Sequence, residues 1–343
     1  MDLNTKKIDR MVEAIHHDLS LSGVVLIKRA NEVIFESAYG YANRAEKILN
    51  TPLTRFGIAS GCKLFTAIGI CQLVEKGLIH FDTPLKECLA YRFPHFDERV
   101  TIHHLLTHSS GIPDYFDEET MDDYAELWKE RPMYHVECLK DFLPMFQNNK
   151  MTFSPGDHFQ YNNAAFILLG LIIEQLTDQT FDTYIRENIF EPCGMTDSGY
   201  FRMDELPSRT AYGYLEHDEK KLKTNIYSIP VKGGADGGAF VTAPDMAKLW
   251  EGLLSGRLLN KNTVQTLLHP HIRVQKSTYY GYGIWLNNYR NQLFKYHVMG
   301  YDPGVAFRSA VYPEWDLIVV VTANKSDGPH QVVKALEDNF ILK

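Results

Sequence analysis

The chain has 343 residues, 45% of them apolar, enough for one large domain or two fused lobes. Its net charge of -8 argues against a nucleic-acid or anionic-membrane partner, both of which need a concentrated basic face, and leaves a small-molecule or peptide substrate. Five cysteines, odd in number, widely spaced and without a CxxC pair, argue against a disulfide framework or a zinc knuckle.

At the amino terminus, Met11, Val12 and Ile15 recur at helical spacing, which predicts an amphipathic helix over residues 4–18. The first apolar run, Val24 to Ile27, is too short for a signal-peptide core or a membrane span. A cytoplasmic location is therefore expected for the chain as written, and an extracytoplasmic one if a native leader is missing. GVVLIKRANEVIFESAYGYAN reads as two β-rich runs around Arg29 to Glu32, a hairpin. Residues 60 to 190 carry a mostly helical pattern, broken by loops such as HSSGIPDYFDEET and FSPGDHFQYNN. Strand-like runs return in GYGIWLNN, QLFKYHVM, GVAFRSAVY and WDLIVVVTAN, an antiparallel meander, and HQVVKALEDNFIL closes as a helix.

The expected fold is α/β of the α+β type. One antiparallel sheet is built from both termini, residues 1–59 and about 195–343, and flanked by helices. A mostly helical lobe, about 60–194, is inserted between these parts. The whole of 1–343 forms a single catalytic unit with a cleft between the lobes.

In FGIASGCKLFTAIGICQLVEKG, residues 56–77, Lys63 is the one charged side chain before Glu75. Apolar residues surround this helix on nearly every side, so it is expected to be buried. A buried ammonium is costly unless it is paired or loses its proton. Spacing of i and i+3 puts Lys63 on the same helix face as Ser60, where a desolvated amine can take the serine proton. The Ser60 N–H at a helix start can hold a developing oxyanion. The alternative is a lysine that snorkels from a helix end.

This segment resembles the nucleophile helix of the penicillin-recognising serine hydrolases: class C β-lactamases, low-molecular-weight penicillin-binding proteins and related esterases. VTIHHLLTHSSGIPDY and FSPGDHFQYNNAAFILLGLIIEQLT are similar to two further segments of that family. The resemblance runs from about residue 20 to 325 and implies an acyl-serine mechanism without a cofactor. It implies action on an amide, ester or β-lactam, of the D-alanyl carboxypeptidase or β-lactamase type. A cytoplasmic esterase or amidase of the same fold is one alternative, and a non-catalytic β-lactam or peptide sensor is another.

Tyr161 and Asn163 project to one side if residues 161–163 are extended. A phenol there can relay the serine proton to a leaving group, and the amide can orient a substrate carbonyl and the lysine. Otherwise Asn163 is a helix N-cap and Tyr161 a packed aromatic. The Y-x-N match to the family favours the catalytic roles. The family's third motif, a Lys or His two residues before a Gly, is irregular here. In KYHVMGYDPGVAF, His297 lies three residues before Gly300, and alternation puts the two on opposite faces unless a bulge intervenes. His297 is a candidate for substrate binding, yet Val298 holds the position that usually carries the cation. By resemblance, Tyr301 supplies a second oxyanion N–H from its backbone. No metal is expected: His103, His104 and His108 lack the Glu of an H-E-x-x-H pattern, and GGADGG is a structural turn whose Gly237 and Gly238 permit close backbone approach.

Overall fold

The computed structural model describes residues 4–218 and 221–342. The first helix, α1 (Thr5–Leu19), starts where the Asn4 side chain accepts a hydrogen bond from the Lys7 N–H, and it buries Ile8 and Val12. Strands β1 (Gly23–Arg29) and β2 (Glu32–Tyr39) form the expected hairpin, turning at Ala30, whose φ is 50°.

The late strands are β3 (Ile272–Gln275), β4 (Thr278–Tyr280), β5 (Trp285–Tyr289), β6 (Gln292–Asp302), β7 (Val305–Tyr312) and β8 (Leu317–Ala323). With the first hairpin they form one eight-stranded sheet of order β2-β1-β8-β7-β6-β5-β4-β3. Every neighbouring pair is antiparallel. The two ends of the chain meet in the β1–β8 pair, which runs from Gly23 opposite Ala323 to Arg29 opposite Leu317.

Period-two alternation sorts the central strands between two cores. Val25, Ile27, Val319 and Val321 face α1 and the last helix, α5 (Pro329–Leu336), together with Ile8, Val12 and Val332. Val24, Leu26 and Val320 face the other way, into the larger core. Three helices pack there: α2 (Lys63–Glu75), α3 (Asn163–Thr177) and α4 (Ala243–Leu254). Ten of the 13 residues of α2 and 11 of the 15 of α3 are buried, so both are core helices and not amphipathic covers. At about 1.5–3 kcal/mol per buried large aliphatic side chain, such helices are held mainly by packing. The α4 helix is tied to the sheet through Trp250, whose ring N–H donates to Ser309 Oγ at 2.8 Å. Thr242 caps α4, its side chain accepting from the Asp245 N–H.

HSSGIPDYFDEET and FSPGDHFQYNN are loops, as expected, but residues 121–152 between them are less helical than their pattern suggests. They form one four-residue α-helix, Leu127–Glu130, and short 3-10 turns at Tyr124–Glu126, Met133–His135 and Leu139–Met145. Pro132 and Pro144 punctuate this stretch, and each removes a helical N–H donor. No single helix among the described residues is long and apolar enough to cross a membrane.

Candidate active site

Ser60 lies in the 3-10 turn Ala59–Cys62 that runs directly into α2. The turn begins with Ala59 at φ 45°, a left-handed conformation that costs a non-glycine residue on the order of 1 kcal/mol and aims the following residue at the cleft. Lys63, at the first position of α2, is 1% exposed and therefore does not snorkel. Its ammonium donates to Ser60 Oγ at 2.9 Å, to Asn163 Oδ1 at 2.8 Å and to the Asp236 carbonyl at 2.7 Å. Three N–H groups thus meet three oxygens. The rings of Tyr161 and Phe166 lie 4.9 and 5.6 Å from Nζ and add cation–π contacts.

Tyr161 packs on His108, with ring centroids 4.4 Å apart, and stacks at 6.2 Å on Trp285. Burial pushes its phenol well above the ordinary range and the Glu118 charge adds to this, while the neighbouring Ser60 hydroxyl opposes it. The phenol therefore keeps its proton and is a donor. The loop that carries it is held by His108, whose Nδ1 accepts from the Asn162 N–H at 3.0 Å and whose Nε2 contacts the Tyr280 hydroxyl at 3.1 Å. Burial lowers His108 well below the usual imidazole range, so this bridge is neutral.

The N-cap of α3 is Asn162, which accepts from the Ala165 N–H at 2.7 Å and donates to the Ile112 carbonyl at 2.8 Å. Asn163 is thereby free to turn its amide toward Lys63. Beneath it, Asp114 accepts from the backbone N–H groups of Asn163 and Ala164, at 2.6 and 2.9 Å. Burial raises its carboxyl to about 7 against the pull of these donors.

Strand β6 closes the other side. Its register with β7 is unbroken from Tyr296 to Asp302, so no bulge intervenes, and Val298, Gly300 and Asp302 share one face. Gly300 sits where strand and nucleophile turn touch: a Cβ there would lie 1.9 Å from the Ile58 carbonyl oxygen and 2.9 Å from the Gly61 nitrogen. Tyr301 is 67% exposed and borders the cleft with Ser60. Val298 is 2% exposed and belongs to the larger core.

His297 is not brought to the cleft. It faces the other side of the strand, 7% exposed and stacked on Trp285 with centroids 6.3 Å apart. Burial, with Lys295 and Arg308 adding, lowers it well below the usual range and keeps it neutral. Ser60, Lys63, Tyr161, Asn163, Gly300 and Tyr301 do converge.

Four acidic residues beside them were not among the sequence candidates: Asp114, Glu118, Asp236 and Asp302. Asp236 lies in the GGADGG turn, where a Cβ on Gly237 would stand 3.8 Å from the Ala59 backbone and Gly238 takes φ 91°. Its carboxylate accepts the Tyr115 hydroxyl. Burial raises both Asp236 and Asp302, the latter to about 8 with Asp236 as its second cause. Cys62, next to Ser60, is fully buried and pushed up to about 12 by burial, a packed thiol and not a nucleophile. His103 and His104 have structural partners, Tyr282 and Thr101. Among the described residues no group of three or more His, Cys, Asp or Glu is arranged to hold a metal.

Comparison with known proteins gives the family of the chain. A solved penicillin binding protein from Bacillus halodurans is 54% identical, with a TM-score of 0.92 over 96% of this chain and 100% of its own. The penicillin-binding protein homologue from Pyrococcus abyssi, described as octameric, is 27% identical, with a TM-score of 0.85 over 100% of this chain and 78% of its own. Protein flp of Staphylococcus aureus (strain N315) is 29% identical over 236 residues, 66% of this chain; the chain spans 43% of that relative's length. The family model described as Beta-lactamase matches residues 8–341, and the chain belongs to this family of penicillin-binding-protein and β-lactamase-like serine hydrolases.

Proposed function

We propose that the protein acts through a covalent acyl-Ser60 intermediate, with Lys63 and Tyr161 moving the protons. The observation that carries this reading is the 2.9 Å contact between Lys63 Nζ and Ser60 Oγ inside a buried network. In its neutral form Lys63 takes the hydroxyl proton along this contact as Oγ bonds to the substrate carbonyl carbon. The backbone N–H groups of Ser60 and Tyr301 hold the oxyanion. As the tetrahedral intermediate collapses, the bond to the leaving group breaks and that group takes the Tyr161 phenol proton, which Lys63 replaces. Water then attacks the acyl-enzyme, releasing the acid and restoring Ser60. Asn163 orients Lys63 and the substrate carbonyl.

Among amides, esters and β-lactams, one observation favours an esterase or amidase over a D-alanyl carboxypeptidase or β-lactamase. The strand position that usually carries a cation is the buried Val298, and the neighbouring His297 is neutral and turned away. From Val298 to Tyr301, where the strand meets the nucleophile turn, β6 offers a substrate carboxylate no cation. A fluorophosphonate probe tests the nucleophile. It is expected to label the protein and not Ser60→Ala; equal labelling of both overturns the assignment. Acylation without turnover on every ester, amide and β-lactam would instead make the protein a sensor.

A further inference from the structure

The GGADGG turn is fastened to the nucleophile helix at two points. The Asp236 carbonyl accepts from the Lys63 ammonium at 2.7 Å, and the Ala235 carbonyl accepts from Thr66 Oγ1 at 2.5 Å. Lys63 and Thr66 are i and i+3 in α2, so both contacts lie on one helix face. The turn is closed on itself by the Gly234 N–H, which donates to the Gly237 carbonyl at 2.8 Å. The Asp236 backbone is thereby tied to the proposed base.

Its side chain is 5% exposed, and its hydrogen-bond partner among the described side chains is the Tyr115 hydroxyl. The contacts that fasten the turn are backbone contacts, and an amide would accept from Tyr115 as well as a carboxylate does. The architecture therefore has no need of the charge, which is costly to bury. What the charge acts on is Lys63. Burial raises the Asp236 carboxyl, while Lys63, the Tyr115 hydroxyl and the N–H groups of Asp236 and Gly237 draw it back. Burial, with Asp236 adding, pushes the Tyr115 phenol well above its ordinary range, so it keeps its proton and donates it to the carboxylate.

The other groups that face this pair carry little charge. His108 is neutral, and the phenols of Tyr124, Tyr161 and Tyr200 and the thiol of Cys62 are all raised by burial and hold their protons. Asp114 and Asp302 hold theirs to about pH 7 and about pH 8, and Glu118 stands on the exposed loop, 3.5 Å from the Asn163 amide. Of the three buried carboxyls, Asp236 is the one whose own backbone touches Lys63. A carboxylate close to an amine favours the ammonium, typically by about 1–3 pH units, and the two titrate as a pair.

We propose that Asp236 is a positioning residue for the Lys63 base: its carbonyl fixes the amine, and its carboxylate, held by Tyr115, sets the pH at which acylation begins. The inference rests on the acyl-Ser60 reading and adds the residue that regulates its base.

The test follows the acid limb of acylation by p-nitrophenyl butyrate, whose leaving group needs no proton, in stopped-flow experiments across pH. Asp236→Asn keeps the carbonyl and an acceptor for Tyr115 but loses the charge. Its acid limb is expected to lie about 1–3 pH units below that of the wild type. A downward shift of less than about one unit, or an upward shift, overturns the proposal even where the maximal rate falls, because a merely structural role lowers the rate alike at every pH. If Asp236→Asn fails to fold, Tyr115→Phe decides. Without its donor the carboxylate takes up a proton more readily, so the limb should again move down, and an unmoved limb overturns the proposal.

Where no ester acylates the protein, 13C NMR of the lysine-labelled wild type and Asp236→Asn reads the same equilibrium without turnover. The Lys63 signal is the one absent from Lys63→Ala. A midpoint at least about one unit lower in Asp236→Asn supports the proposal; equal midpoints, or no titration of Lys63 in either protein, overturn it. Failure of the hydrolase reading is thus told apart from failure of the role given to Asp236.

Discussion

Gly300→Ala is the sharpest mechanical test of how the sheet and the nucleophile turn are joined. The added Cβ would stand 1.9 Å from the Ile58 carbonyl oxygen and 2.9 Å from the Gly61 nitrogen, where real Cβ contacts are essentially never under 3.0 Å. Both obstacles are backbone, so no side chain can swing aside, and strand and turn must separate by about 1 Å. Gly300 precedes the Tyr301 N–H and Gly61 follows Ser60, so this gap opens between the two proposed oxyanion donors. A displacement of about 1 Å is worth about 10²-fold in rate, and loss of one donor about 10²–10³-fold. Overpacking the junction costs about 1–3 kcal/mol of stability. Stopped-flow acylation by p-nitrophenyl butyrate, with a urea midpoint on the same preparation, measures both. Acylation is expected to fall at least about 10²-fold in a folded protein. A variant that acylates within threefold of the wild type would refute the reasoning.

Lys63→Ala removes the proton acceptor and also leaves Ser60 Oγ, Asn163 Oδ1 and the Asp236 carbonyl without their donor. Acylation should slow by about 10²–10⁴-fold in pre-steady-state kinetics while the variant still unfolds cooperatively. Tyr161→Phe keeps the stack on His108 and Trp285 but loses the phenol proton. It should slow an anilide far more than a p-nitrophenyl ester, whose leaving group needs no proton; equal losses on both would remove its role as acid. Asp114 holds its proton up to about pH 7 in the folded chain, against 3.8 as its ordinary value. The folded state therefore binds the extra proton between these pH values. The contribution is complete below pH 3.8 and is lost as pH rises through about 7. Urea midpoints of Asp114→Asn should fall less steeply over that window than those of the wild type, and an unchanged slope counts against the assignment.

The parts of the fold that were legible are those with a strong period. Unbroken apolar runs over Val24–Ile27 and Leu317–Val321 mark strands buried on both faces, and these two strands pair directly. The apolar circumference of residues 64–74 marks a core helix, and within it a single charge becomes conspicuous. Ser60 sits in a 3-10 turn and not in the helix proper, but a one-turn separation from Lys63 survives that difference. Between 121 and 152, apolar residues in helical order were misleading because Pro132 and Pro144 break the ladder that their spacing implies. Asn162 and Asn163 are indistinguishable as caps in the sequence. Only the packing against Ile112 and Asp114 decides which of them caps and which faces Lys63. Asp236 and Asp302 were not legible as neighbours of Ser60, since loop and strand-end polar residues carry no period. At His297, alternation already pointed away from Gly300, and the unbroken β6–β7 register follows it.

The central claim is that Ser60 becomes acylated during turnover. Trypsin releases residues 56–63 as the peptide FGIASGCK, which contains both Ser60 and Cys62. Acid-quenched samples of a p-nitrophenyl butyrate reaction, digested and sequenced by mass spectrometry, locate the acyl group directly. The account predicts a butyryl group on Ser60 that forms within the burst and disappears when substrate is exhausted. Steady hydrolysis with this peptide unmodified at every time point, or with the acyl group on Cys62 or elsewhere in the chain, would contradict it.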